Sequence, residues 1–134
     1  MKILIVDDEV IVAKALARAF QSKGHQVEVA HAGEEGLERW FNFLPDAVLL
    51  DVVMPGLTGP QVIDEFKKNR DSREGPMPSK YDPTIILMTA HSGIKGREAA
   101  LVLGAHEFVQ KPFEDVFALV EQLQQLVDER SATL

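Results

Sequence analysis

The sequence predicts an α/β domain: a parallel five-stranded sheet, doubly wound in the order 2-1-3-4-5, with helices on both faces. Three observations carry that prediction. Five short apolar runs alternate with five segments whose apolar residues recur at helical spacing. Three of the runs, KILIV at 2–6, AVLL at 47–50 and TIILM at 84–88, are apolar on both faces, as central parallel strands must be. The other two are alternating or mixed and belong at the sheet edges.

Taken in order, Lys2 to Val6 is the first strand. Val10, Ala13, Ala15, Leu16, Ala19 and Phe20 then mark an amphipathic helix, with Asp8 as candidate N-cap and Gly24 where a helix-ending glycine is expected. Gln26 to Ala30 (QVEVA) alternates as an edge strand does. Ala32 and Gly33 open a second helix that runs through Leu37, Trp40 and Phe41 to about Leu44, where Pro45 stops it. The third strand, Ala47 to Leu50, ends in Asp51 and the turn VVMPGLTGP, after which Val62, Ile63 and Phe66 mark a third helix. Between Asn69 and Pro83 the pattern gives way to charges, Gly75 and prolines, so the stretch 71–83 reads as a surface loop and a tolerated insertion. Thr84 to Thr89 is the fourth strand; Ser92 and Gly93 lead to a helix carrying Ile94, Ala99, Leu101, Val102 and Leu103 up to Gly104. A weak fifth strand, Glu107 to Gln110, precedes Lys111-Pro112 and a last helix in which Val116, Phe117, Leu119, Val120, Leu123, Leu126 and Val127 keep helical spacing to about Arg130. The organisation is one domain over 1–130, with 131–134 as a tail or linker.

Composition agrees with one ordinary globular domain: 134 residues, 46% hydrophobic and 26% charged. The net charge of −7 argues against direct nucleic-acid binding or an anionic membrane surface. Without cysteine there is neither a disulfide framework nor a thiolate metal site, and no apolar stretch reaches the roughly 20 residues that span a bilayer. The expected location is cytoplasmic. Trp40 and the Met and Phe residues read as packing, and His25, His31 and His106 as surface residues.

Parallel strands point their carboxyl ends the same way, so Asp7, Asp8, Asp51, Thr89 and Lys111 share one rim. Alone, each has a plainer role as a cap, a turn former or a surface charge. Their agreement at four strand ends is what those roles leave unexplained. Three carboxylates facing one ammonium leave excess negative charge that a divalent cation would neutralise. Oxygen-only ligands favour a hard ion, Mg²⁺ with Mn²⁺ as the alternative. Such a site suits phosphoryl groups, with Asp51 the best candidate nucleophile because it is the single acid on a central strand.

Through VDD at 6–8, LLDVVMPGLTG at 49–59, LMTA at 87–90 and FVQKPF at 108–113, the chain resembles the receiver domain of bacterial two-component response regulators over about residues 1–128. The resemblance implies a flavodoxin-like (βα)5 domain with Asp51 as phosphoacceptor. It implies Mg²⁺ bound by Asp8, Asp51 and the backbone carbonyl of Val53, with Asp7 acting through water. Thr89 and Lys111 would contact the phosphoryl group, Ala90 would leave room for it, and Phe108 would be the aromatic switch. The Lys111-Pro112 bond would be cis, and Val53 and His91 would tune dephosphorylation. The implied partners are a sensor histidine kinase or phosphotransfer protein and a downstream output protein or domain, with a homodimer among the arrangements allowed. The output surface would be helix 4, strand 5 and helix 5. The domain would take part in its own phosphorylation and dephosphorylation without being an enzyme. Two alternatives compete: a phosphorylation-independent interaction module, and a Mg²⁺-dependent phosphohydrolase of the haloacid dehalogenase type. The latter needs an acid two positions after its nucleophile, where this chain has Val53, and orders its motifs differently.

Overall fold

The computed structural model describes residues 1–72, 81–90 and 97–132. Along the chain these form β1 (Lys2–Val6), α1 (Val10–Ser22), β2 (Gln26–Ala30), α2 (Gly33–Phe43), β3 (Ala47–Asp51), α3 (Gly59–Ser72), β4 (Thr84–Thr89), α4 (Arg97–Val102), β5 (Glu107–Gln110) and α5 (Val116–Ala132). The five strands make one parallel sheet in the order β2-β1-β3-β4-β5, the expected winding. The aliphatic runs at 2–6, 47–51 and 84–89 occupy the three central places because both of their faces can be buried.

Successive strand residues feed opposite cores. Ile3, Ile5, Leu49, Ile86 and Met88 meet Leu16 and Phe20 of α1 and Leu119 and Leu123 of α5. Leu4, Val6, Val48, Leu50 and Leu87 meet Trp40 of α2, Ile63 and Phe66 of α3, and Phe108 of β5. The second core is the aromatic one: Trp40 stacks on Phe66 with centroids 4.1 Å apart, and Tyr81 meets Phe66 edge-on at 6.0 Å.

Helix ends follow local chemistry. Gly24, at φ +88°, closes α1 with His25 N–H donating to Phe20 O and Gly24 N–H to Gln21 O, the paired bonds of a Schellman ending. Before α3, Thr58 and Gln61 exchange hydrogen bonds: Thr58 N–H donates to Gln61 Oε1 at 2.9 Å and Gln61 N–H to Thr58 Oγ1 at 3.3 Å.

Several local expectations are corrected. Glu9, not Asp8, is the N-cap of α1, because Asp7 Oδ1 takes the Glu9 N–H at 2.9 Å and delays the first helical turn. Val10 and Ala15 lie on the solvent side of α1, where the helical phase that buries Ala13, Leu16 and Ala17 puts them. Helix α3 continues to Ser72, past the point where apolar periodicity ends, since its last residues are polar in sequence and carry no apolar pattern. Of the expected 71–83 loop, residues 73–80 lie outside the described residues, while Tyr81 is tied down by its hydroxyl, which donates to Pro45 O at 2.8 Å and accepts from Trp40 Nε1 at 3.1 Å. In α4, Leu101 and Val102 are 65% and 84% exposed and Ala100 carries the packing. Ala100, a small side chain, is buried in the second core; Ile94, Ser92 and Gly93 lie outside the described residues. Phe117 of α5 is half exposed, with the Lys23 ammonium 5.9 Å from its ring centroid. None of the three histidines is simply a surface residue. Each is partly buried: His25 Nδ1 meets the amino terminus, His31 Nδ1 meets Asp7 O, and His106 Nδ1 accepts the Ile85 N–H at 3.0 Å.

Candidate functional site

The carboxyl ends of β1, β3, β4 and β5 converge on one acidic cluster. Asp7 follows β1 directly; its N–H donates to Ala30 O at 3.0 Å, which extends the pairing with β2 and holds the residue fully buried. Asp8 is exposed on the next step. Asp51 is the last residue of β3 and 6% exposed. The turn beyond it folds back tightly: Val52 N–H donates to Met88 O and Gly59 N–H to Val52 O, both at 2.9 Å. A Cβ on Gly59 would stand 2.5 Å from Asp51 O, so only glycine permits that closure. Lys111 leaves β5 with its N–H donating to Thr89 O at 2.7 Å, precedes a cis bond to Pro112, and is 7% exposed.

Lys111 Nζ lies 2.8 Å from Asp7 Oδ2, 2.9 Å from Glu9 Oε1 and 3.3 Å from Asp51 Oδ2. The contact with Asp7 is an ion pair out of hydrogen-bond alignment. Asp7 Oδ2 is accordingly the one fully buried side-chain oxygen or nitrogen without a hydrogen bond among the described residues. Carboxylate oxygens of Asp7, Asp8 and Asp51 lie within 4.8 Å of one another. A buried oxygen lacking a donor, in a set of hard oxygen ligands beside exposed Asp8, fits a divalent cation that retains part of its water shell.

Burial and the neighbouring Asp7 charge push the Asp51 carboxyl up to about 7, with Lys111 opposing them. For Lys111, burial alone would lower the ammonium, but its contacts with Asp7 and Glu9 and the charges of Asp7 and Asp51 outweigh it and hold the group above its ordinary value.

Of the other expected residues, Thr89 ends β4 and is buried, and Ala90 is exposed on the wall of a groove of about 460 Å³ that it shares with Ile11, Val12, Lys111, Pro112 and Val116. Val53 is exposed in the turn after Asp51. Phe108 is buried in the second core rather than at the rim. His91 lies outside the described residues. Glu9 is the one residue that joins the cluster without having been expected there. Its signal was a third consecutive acid, DDE at 7–9, in a position where a helix cap favours a shorter side chain.

A family model described as the response regulator receiver domain matches residues 3–124. The chain belongs to that family. This receiver domain is 35% identical over 125 residues to the response regulator MprA of Mycobacterium avium, covering 92% of this chain and 50% of that protein. It matches MprA of Mycobacterium ulcerans with the same identity and coverage. The chain thus spans about half the length of the curated relatives it matches. Among solved structures, it is similar to the response regulator TrrA of Thermotoga maritima in complex with Mg²⁺-BeF, at 34% identity and TM-score 0.72, covering 93% of this chain and 97% of that one. A CheY-like receiver domain protein from Methanospirillum hungatei, at 24% identity, shares the fold with TM-score 0.79 over 99% of this chain and 98% of that one. Receiver domains are signalling domains rather than enzymes, and the acidic cluster at the sheet's carboxyl end matches that role. Among the described residues, no helix is long and apolar enough to cross a membrane.

Proposed function

We propose that Asp51 is the phosphoacceptor and that its donor is a phosphohistidine on a sensor histidine kinase or phosphotransfer protein. The observation that carries this is Lys111: its ammonium stands within 3.3 Å of both Asp7 and Asp51, in a cluster where Asp51 is buried and the carboxyl groups lack a full set of donors. The Asp51 carboxylate forms an O–P bond while the P–N bond to the donor breaks, and the imidazole keeps that electron pair. The product is an acyl phosphate.

Asp8, Asp51 and the backbone carbonyl of Val53 would hold Mg²⁺, with Asp7 acting through water. When bound, the ion supplies positive charge that keeps Asp51 ionised and neutralises phosphoryl oxygens. Lys111 shares that neutralisation from the opposite strand. Thr89 donates a hydrogen bond to a phosphoryl oxygen, and the small side chain of Ala90 leaves space for the group. Val53 and His91 tune how fast water removes it.

New charge beside Asp7 and Asp8 draws Thr89 and Lys111 toward Asp51. Phe108, paired with Leu87 of β4 two residues before Thr89, follows the movement of Thr89 and passes it to the surface of α4, β5 and α5. The half-length match to longer response regulators supports an output protein or domain as the recipient. Incubation with Mg²⁺ and acetyl phosphate is expected to add one phosphate to the intact mass, and Asp51→Asn to abolish the addition. Unchanged mass in the unaltered protein would overturn the assignment.

A further inference from the structure

We propose that Glu9 is a positioning residue for Lys111: it holds the ammonium at the mouth of the site and competes with any phosphoryl oxygen that arrives at Asp51. The inference rests on the reading of Asp51 as phosphoacceptor, and it assigns the residue that sets how readily the lysine is released to the product.

An ammonium has three N–H donors and no acceptor. Lys111 donates to Glu9 Oε1 at 2.9 Å and to Asp51 Oδ2 at 3.3 Å, and Asp7 Oδ2 lies 2.8 Å away as an unaligned ion pair, so three carboxylate oxygens already crowd the ammonium. A phosphoryl oxygen therefore competes with these carboxylates for the ammonium. Asp7 is fully buried, and its Oδ2 has no other partner to turn to. Asp51 is the group that carries the phosphoryl. Glu9 is the replaceable one: its side chain is 59% exposed, so water can re-solvate it at small cost once Lys111 leaves.

Glu9 is also released from the local duty its position suggests. As the N-cap of α1 its side chain makes no capping hydrogen bond, and its place is fixed through the backbone instead, by the N–H donated to Asp7 Oδ1 at 2.9 Å and the carbonyl that accepts from Ala13 N–H at 3.0 Å. The carboxylate is directed to a lysine 102 positions away in sequence. Changing the side chain alone therefore leaves the helix start intact.

The test compares Glu9→Gln, which removes the charge, with Glu9→Asp, which keeps the charge but shortens the reach by one methylene. Beryllofluoride binding in the presence of Mg²⁺ is measured by calorimetry. Both variants are expected to bind about five-fold more tightly than the unaltered protein. Tightening by Glu9→Gln alone would mean that Glu9 acts only as a field charge, and equal affinity in all three proteins would mean that it does nothing; either overturns the proposal. A second readout needs neither metal nor phosphoryl mimic. In the metal-free protein the Lys111 ammonium NMR signal is expected to shift in both variants, and an unmoved signal overturns the proposal irrespective of binding. Failure of the unaltered protein to bind beryllofluoride would instead overturn the phosphoacceptor assignment, and this inference with it.

Discussion

The two ends of the sheet are built on opposite principles. At the amino end the starts of β1 and β4 are tied by paired groups. Asp46 takes the Lys2 N–H on its Oδ2 and the Thr84 N–H on its carbonyl; Tyr81 bridges Trp40 and Pro45; Arg130 reaches Asp82 and Thr84; the His106 ring takes the Ile85 N–H. At the carboxyl end, acidic groups crowd one ammonium, and a buried oxygen is left without a hydrogen bond. Satisfied polar groups hold one arrangement, whereas unsatisfied ones are stabilised by whatever binds them. The amino end therefore holds one arrangement, while the carboxyl end keeps an acidic cluster with a buried oxygen lacking a hydrogen bond.

The largest expected effect breaks the amino end. Trp40→Ala removes a fully buried ring from its stack on Phe66 and leaves the Tyr81 hydroxyl without its donor, at a cost of about 3–5 kcal/mol. Urea titration measures the loss. The folded fraction is expected to keep its response to acetyl phosphate, because none of the ring's partners belongs to the acidic cluster.

A smaller effect, opposite in sign, comes from the carboxyl end. A carboxyl raised to about 7 in the folded chain keeps a proton that the unfolded chain gives up near its ordinary value of 3.8. Its contribution to stability is thus complete below about pH 4 and lost as pH rises to about 7. Asp51→Asn, which cannot ionise, is expected to stabilise the metal-free protein by about 2 kcal/mol at pH 8 and to flatten that slope. Equal denaturation midpoints for the two proteins at pH 8 would show that the crowding carries no strain.

The smallest effect tests whether the amino end titrates in the opposite direction. Burial first, then the Arg130 and Lys67 charges, lower His106 despite Asp82 nearby, so the unfolded chain binds its proton first as pH falls below 6.5. Stability is therefore lost on acidification, and His106→Asn is expected to remove that loss. Measured in the Asp51→Asn background, the two slopes do not mask each other.

Strand limits and sheet order were legible because a central parallel strand accepts only apolar residues on both faces, and no other segment of this chain qualifies. The rim was legible because parallel strands end together, which put Asp7, Asp51, Thr89 and Lys111 side by side. What pattern hid was phase, polarity and distance. In α4 the large Leu101 and Val102 dominated a pattern whose buried member is small Ala100. The end of α3 is polar and carries no periodicity. The Glu9 to Lys111 contact joins residues 102 positions apart and leaves no local mark.

The closure behind Asp51 carries a mechanical implication. With Val52 pinned to Met88 and Gly59 pressed against the Asp51 carbonyl, the backbone of residue 51 has nowhere to yield. It behaves as an anvil: a change at that side chain finds no slack in its own backbone, and the strand paired directly with it is β4, through Met88. A bulkier residue at 59 would force this stop apart, because its Cβ would stand 2.5 Å from the Asp51 carbonyl oxygen.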